Sequence, residues 1–441
     1  MTDSMMANWK HYLAKLNRLK SWPQQKFKEN ILKMPKFTYS RFFITGTFWL
    51  LILIRVAAAQ SNNDNHRNPL YIDPATQDFS ENPKLLKRIL AGPHWYFRFI
   101  NIPFSQEICR LFQDELQGTP SFNLHGDAHL EQYAVTEIGR GLTDFDYSTT
   151  GPGVLDLARF GTSLHLTCRA NGWPHKANEL MEKFLSGYRA ALDKPDTEAP
   201  EPVLVQAMQA KFTFDRTKHF EWIDSLMEPM PEKEAHDLDE AMQPYVESML
   251  IQKPRFKKEF FTIQNAGYLR IGIGSALDIK YLVRIRGHTE NPNDDVVLEV
   301  KEVRDLSGIN CIAITQKSDP FRILLGQARI AYQPYDFLGY LRFRGRAFWV
   351  HSWVDNYMEM SIEESFETPE QLAEIVYDVG VQLGQGHPKQ IAAPFDIQVR
   401  REQVLFLKKY DTKIKEACRE LADQTVEAWK LFKEKVENPE G

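Results

Sequence analysis

The stretch Asn123-Leu-His-Gly-Asp-Ala-His-Leu-Glu131, followed by Leu142-Thr-Asp-Phe-Asp146, decides how this chain is read. Phe122 and Leu124 form a short apolar strand, and His125-Gly126 turns the backbone tightly before Asp127. A second short strand ends at Asp144-Phe-Asp146, with Phe145 expected to pack inward. Residues 154–170 have helical period after the breaker Gly151-Pro-Gly153, and Asp156 in that helix suits a buried anchor for the loop backbone. Any one of these aspartates can be read as an N-cap or turn former, as most loop aspartates are. Three in this order point to a built site.

Phosphoryl transfer asks a protein for positioning of the nucleophile, a metal to screen phosphate charge, and donors around the phosphates. In that chemistry Asp127 would orient or deprotonate a hydroxyl, His125 would form the turn, and His129 would brace the loop. Asp144 would ligate magnesium, with Asp146 as a further ligand or orienter. Gly272-Ile-Gly-Ser275 lies between two strand-like runs; Gly272, Gly274 and Ser275 either bring backbone amides to phosphates or make a plain hairpin turn. Lys301 stands alone among apolar neighbours in Val296-Val-Leu-Glu-Val-Lys, where burial is costly without an anionic partner. Period two sets Lys301 and Glu299 on one face, with Val296, Leu298 and Val300 on the other.

Composition sets the bounds. A net charge of -5 over 441 residues excludes a chain-wide footprint for nucleic acid. Cys109, Cys168, Cys311 and Cys418 are isolated in sequence, which predicts small buried thiols, no zinc site, no disulfide framework and a reducing compartment. The first 41 residues are basic and lead into an apolar run of 13 residues, Phe42 to Ile54, short of the roughly 20 needed to span a bilayer. Residues 42–58 are read first as a buried core helix, with a membrane anchor or a cleaved signal as alternatives. The expected location is therefore cytoplasmic, or membrane-anchored through 42–58.

The stretch Leu124 to Leu164 resembles the H-G-D-x-H-x-x-N and I-D-F patterns of aminoglycoside and choline kinase-like phosphotransferases. It is more closely similar to the bacterial family called domain of unknown function 2252, with its G-D-x-H-x-E-N and D-F-D motifs. Lys33-Met-Pro and Ser40-Arg-Phe-Phe-Ile-Thr-Gly-Thr look like an upstream segment of that family, and the resemblance covers roughly residues 30–390. It implies ATP and magnesium as cofactors, a nucleotide as partner and an unidentified acceptor substrate. Gln132 stands where the pattern has a metal-binding asparagine, moving the amide by ~1.5 Å. Leu325 stands where it has a glutamate partner for the lysine, leaving Gln327, Glu299 and Glu302 as substitutes.

The expected fold is α+β, with a protein-kinase-like core, circularly permuted because the aspartate loops precede the glycine turn and lysine. The organisation expected is an N-terminal helical segment (1–60), an aspartate-loop region (61–200) and a helical insertion (201–265), then a β-rich glycine-turn and lysine region (266–355) and a helical C-terminal region (356–441). The expected function is ATP- and magnesium-dependent phosphoryl transfer to a hydroxyl. A catalytically degenerate nucleotide-binding or scaffolding protein is the alternative.

Overall fold

Three short helices open the structure: α1 (Pro83–Ala91), α2 (Pro93–Phe99) and α3 (Asn101–Leu111). The first two carry proline at the first helical turn, where its missing N–H costs nothing. This computed structural model describes residues 68–438 except 81, 271–277, 315 and 393. The N-terminal helical segment expected over 1–60, with its helix at 42–58, and the glycine turn at Gly272, Gly274 and Ser275, lie outside the described residues. No helix among the described residues is long and apolar enough to cross a membrane.

The quoted motif follows. Strand β1 (Phe122–Leu124) leads into the His125-Gly126-Asp127 turn, and a hairpin of β2 (Tyr133–Thr136) and β3 (Gly139–Leu142) leads into Asp144. Strand β4 (Thr149–Gly151) returns antiparallel to β1, so the two aspartate loops are closed against each other by a short ladder. Next come α4 (Val154–Ala170) and α5 (Ala177–Asp193), α6 (Val203–Gln209) and α7 (Arg216–Leu226), then the short strand β5 (Met227–Glu228).

Helix α8 (Glu232–Gln252) precedes β6 (Ile263–Leu269), β7 (Lys280–Ile285) and β8 (Val296–Glu302). Helix α9 (Pro320–Ile330) separates these from the hairpin β9 (Gly339–Phe343) and β10 (Arg346–Ser352). The six strands form one antiparallel sheet in the order β5-β6-β7-β8-β10-β9. Its faces differ because side chains alternate along each strand. Tyr281, Val283, Leu298, Val300, Phe348 and Val350 pack on Leu238, Met242, Tyr245 and Met249 of α8. The other face carries Lys280, Glu299, Lys301, Trp349 and His351, and turns toward the aspartate loops.

Strand β11 (Tyr357–Glu359) pairs back onto β2, tying the chain after the sheet to the motif hairpin. Helix α10 (Pro369–Gly386) begins with a complete capping box between Thr368 and Gln371. Helix α11 (Asp396–Glu437) buries Ile414, Cys418, Leu421, Thr425 and Phe432 against the helical body, the stripe its three- and four-residue spacing predicts. The architecture is mixed α+β.

One expectation is overturned. Cys109 of α3 and Cys311, in the segment between β8 and α9, form a disulfide with Cα atoms 5.5 Å apart. Only Cys168 and Cys418 remain as buried thiols. The partners lie 202 residues apart, so no local spacing announces the pair. The inference of a reducing compartment from unpaired cysteines goes with it.

Candidate functional site

The Asp127 loop is set by its backbone. Gly126 has φ +79°, and a Cβ there would lie 2.0 Å from the Tyr147 carbonyl oxygen, so only glycine lets the two aspartate loops approach. Asp156 of α4 accepts hydrogen bonds from the backbone N–H of His125 at 2.7 Å and of Gly126 at 2.8 Å. His387 Nε2 lies 3.1 Å from the same carboxylate. Asp156 is thus the buried loop anchor its place in the helix suggests.

His125 Nε2 lies 2.8 Å from the Thr143 carbonyl oxygen, joining the first loop to the second. Its other nitrogen receives the Asp127 N–H at 3.3 Å, and its ring rests on Phe145, 4.6 Å between centroids. These contacts make His125 a positioning residue. His129 is buried 3.8 Å from Asp127, with its ring edge-on to Phe97. Burial lowers its pKa well below the ordinary range, so it stands there neutral.

Asp127 itself meets a partner the sequence did not single out. Arg159 of α4 places Nε 2.9 Å and Nη2 2.8 Å from Asp127 Oδ1. The guanidinium lies 3.6 Å over the Phe97 ring, which fixes its plane. Burial pushes the Asp127 carboxyl above its usual range despite the Arg159 charge. The available signal was spacing: Arg159 follows Asp156 by three residues on one helix, so the two share a face.

The second loop carries the densest electrostatics. Lys301 Nζ lies 2.8 Å from Asp144 Oδ1 and 2.7 Å from Asp146 Oδ2, so one ammonium bridges both carboxylates. Asp144 sits in the left-handed region at φ 55°, a conformation costing about 1–3 kcal/mol outside glycine. Asp146 Oδ1 accepts the Trp349 indole N–H at 2.9 Å, and its backbone carbonyl accepts Arg322 Nη1 at 2.5 Å. Burial would raise Asp144, but the Lys301 ammonium outweighs it and holds that carboxyl low. Burial, with the Asp144 charge added, pushes Asp146 up to about 7.

Helix α9 presses on this loop: a Cβ at Gly326 would lie 2.3 Å from Ser148 Oγ. Leu325 on the same helix is 45% exposed, so that position does not face Lys301. Gln327 is buried, and its Nε2 has no hydrogen-bond partner among the described residues. Glu302 turns away to Arg346. Glu299 shares the lysine face and is held by His351 at 3.0 Å. Gln132 is buried one pair beyond the Tyr133–Leu142 register, its backbone carbonyl accepting the Thr143 N–H at 2.8 Å. That sets its backbone against Thr143, the residue before Asp144.

Two more cations border the site without a sequence signal. Arg98 of α2 pairs with Glu131 at 3.4 Å, and the charges of Asp127 and Asp144 both act on it. Lys280 is buried on the sheet face shared with Lys301. A cleft of about 580 Å³ lies at the other end of β7, but its Arg284 and Arg286 are already paired with Asp295, Asp224 and Glu290.

Among the described residues no group of three or more histidine, cysteine, aspartate or glutamate side chains could hold a metal. Magnesium uses one or two carboxylates and completes its shell with phosphate and water. The Asp144–Asp146 pair fits that pattern. Both carboxylates converge on one cationic position, and buried Asp146 Oδ2 has no aligned hydrogen-bond donor among the described residues.

Residues 82–228 and 205–435 match the model of a family described as an uncharacterised protein conserved in bacteria, domain of unknown function 2252. The match begins downstream of Lys33-Met-Pro and Ser40–Thr47, so the upstream part of the resemblance lies outside it. No curated protein and no solved structure matches the chain. Together the two matched stretches run over most of the chain, including both aspartate loops, Lys301 and the hairpin that carries Trp349. The chain belongs to the domain of unknown function 2252 family.

Proposed function

We propose that this protein is a phosphotransferase with a kinase-like core, using a magnesium-bound nucleotide to phosphorylate a hydroxyl. The observation that carries the reading is the Lys301 ammonium bridging Asp144 and Asp146 beside the Asp127 loop. A buried lysine, two convergent carboxylates and a separate carboxylate for the nucleophile are the parts phosphoryl transfer needs. Asp144 and Asp146, with Gln132 nearby, would hold magnesium, which supplies screening of phosphate charge. Lys301 would engage the phosphates.

Asp127 would take the acceptor hydroxyl proton as that oxygen bonds to the terminal phosphorus and the bond to the leaving phosphate breaks. Arg159 fixes Oδ1, leaving Oδ2 for the acceptor, and a raised carboxyl pKa makes Asp127 a better base. The order of parts, with aspartate loops ahead of the lysine-bearing sheet, corresponds to a permuted kinase arrangement. A nucleotide-dependent reaction favours a cytoplasmic setting, where nucleotide is supplied.

A non-catalytic nucleotide-binding role is the second reading. It is favoured by Gln132 at the asparagine position and by Leu325 pointing to solvent.

The test is thermal unfolding with and without magnesium-ATP. Saturation at 100 times Kd stabilises the fold by about 2.7 kcal/mol. No shift at millimolar nucleotide would sink both readings. A shift accompanied by ATP turnover that disappears in Asp127→Asn supports the enzyme; a shift without turnover supports the binding role.

A further inference from the structure

The segment between β8 and α9 lies against the strand that closes the two aspartate loops. Its Ala313 N–H donates to the Thr150 carbonyl of β4 at 2.7 Å, an antiparallel bridge. A Cβ on Gly151 would lie 3.0 Å from Ile312 Cγ2, so segment and strand are in close contact. Arg322 of α9, just past the segment, donates to the Asp146 and Ser148 carbonyls and, at 3.0 Å, to that of Arg304. Helix α3 meets the first loop instead: Asn101 Nδ2 donates to the Gly126 carbonyl at 2.9 Å. The Cys109–Cys311 bond joins that helix to the segment, and Gln106 Nε2 donates to the Gly308 carbonyl at 2.8 Å beside it. One crosslink therefore ties the support of the first loop to the brace on the second. Cys311 is partly exposed, whereas Cys109 is buried.

We propose that the Cys109–Cys311 bond is a redox switch. Oxidised, it holds the two aspartate loops in their binding geometry; reduction by a dithiol releases the 303–314 segment and weakens ligand binding. The proposal rests on the phosphotransfer reading above, because nucleotide is supplied in a compartment that keeps thiols reduced. Disulfides in such a compartment are usually transient or redox-sensing rather than structural. The partly exposed sulfur sets the course of the exchange. A thiolate of the reductant attacks Cys311 Sγ, the S–S bond breaks, and Cys109 leaves as a thiolate and takes up a proton. The second thiol of the reductant then displaces Cys311. Two electrons and two protons pass to the protein, and the reductant becomes a disulfide. With the crosslink gone the segment is held by noncovalent contacts alone, and only the fraction of molecules with both loops braced binds at full affinity.

The test is calorimetric titration of the full chain with magnesium-ATP, oxidised and after equilibration with millimolar dithiothreitol. Reduced protein should bind roughly tenfold more weakly, an ordinary coupling between two sites, and reoxidation should restore the affinity. Cys311→Ser, the milder change because that side chain is partly exposed, should bind like reduced wild type in both conditions. Linkage requires the reciprocal effect: saturating magnesium-ATP should raise the dithiol-to-disulfide ratio that half-reduces the bond by the same factor. Hydrogen exchange gives a readout without ligand, since reduction should speed exchange of the Ala313 N–H. A bond that resists dithiothreitol in the native protein, or equal affinity in both states, overturns the switch and leaves the phosphotransfer reading standing. No magnesium-ATP binding by either form overturns the nucleotide reading. Faster Ala313 exchange on reduction then still upholds the switch, and unchanged exchange overturns it.

Discussion

Lys301 Nζ lies 2.8 Å from Asp144 Oδ1, a contact between residues 157 apart in the chain. It joins the six-stranded sheet to the loop after the β2–β3 hairpin, and a second contact to Asp146 makes the ammonium the shared counter-ion of two buried carboxylates. The charge balance of the two loops rests on this one side chain.

Lys301→Met leaves the two carboxylates facing each other without their cation. Breaking one side of a buried pair costs about 3–5 kcal/mol. Urea unfolding at pH 8 should show a loss of that order, and the loss should shrink at pH 6, where Asp146 can take up a proton. An unchanged midpoint at both pH values would mean the ion pair contributes nothing to the fold.

Asp146 links stability to pH with a definite sign. Its carboxyl is raised from 3.8 to about 7 in the folded protein. The stability it contributes is fully present below the unfolded value and is lost as pH rises through about 7. Asp146→Asn, which cannot ionise, should therefore gain on wild type between pH 4 and pH 8 by about 1–3 kcal/mol. Denaturation curves across that range check it, and a constant difference between the two proteins refutes the assignment.

If the protein turns over ATP, Asp127→Asn should lower the rate by about 10²–10⁴-fold, the usual contribution of a general base. Gln132→Asn draws the amide back by about 1.5 Å and should raise the rate if glutamine weakens the metal site. An equal or lower rate for that variant would show a site adapted to glutamine. Steady-state rates at saturating magnesium-ATP decide both.

Reduction of the Cys109–Cys311 bond releases a closure of 202 residues. Chain-entropy reasoning gives a loss of about 2–5 kcal/mol for such a crosslink. Thermal unfolding with and without a thiol-free reductant should show a lower midpoint when reduced, and Cys109→Ser should unfold at the reduced midpoint in both conditions. Equal midpoints for oxidised and reduced wild type would remove the bond from the account of stability.

Much of the local structure was legible in advance. The helix over 154–170, the tight turn at His125-Gly126 and the inward place of Phe145 all follow from period and turn chemistry. The lysine face of β8 was legible for the same reason, since alternation alone puts Glu299 with Lys301. Arg159, Arg98, Lys280 and the Cys109–Cys311 bond were not. Each gains its meaning from a partner on another element.

The sequence by itself determined where the chain turns, which residues face inward along each strand and helix, and which carboxylates belong to one motif. Those properties are set among residues a few positions apart, through backbone sterics and side-chain periodicity. Only the tertiary structure decided which charges meet: Asp127 with Arg159, Asp144 and Asp146 with Lys301, and Lys280 opposite Lys301. The physical reason is range. A buried ion pair exists only where packing of distant elements brings opposite charges within about 3 Å and excludes water, and no local pattern specifies that approach.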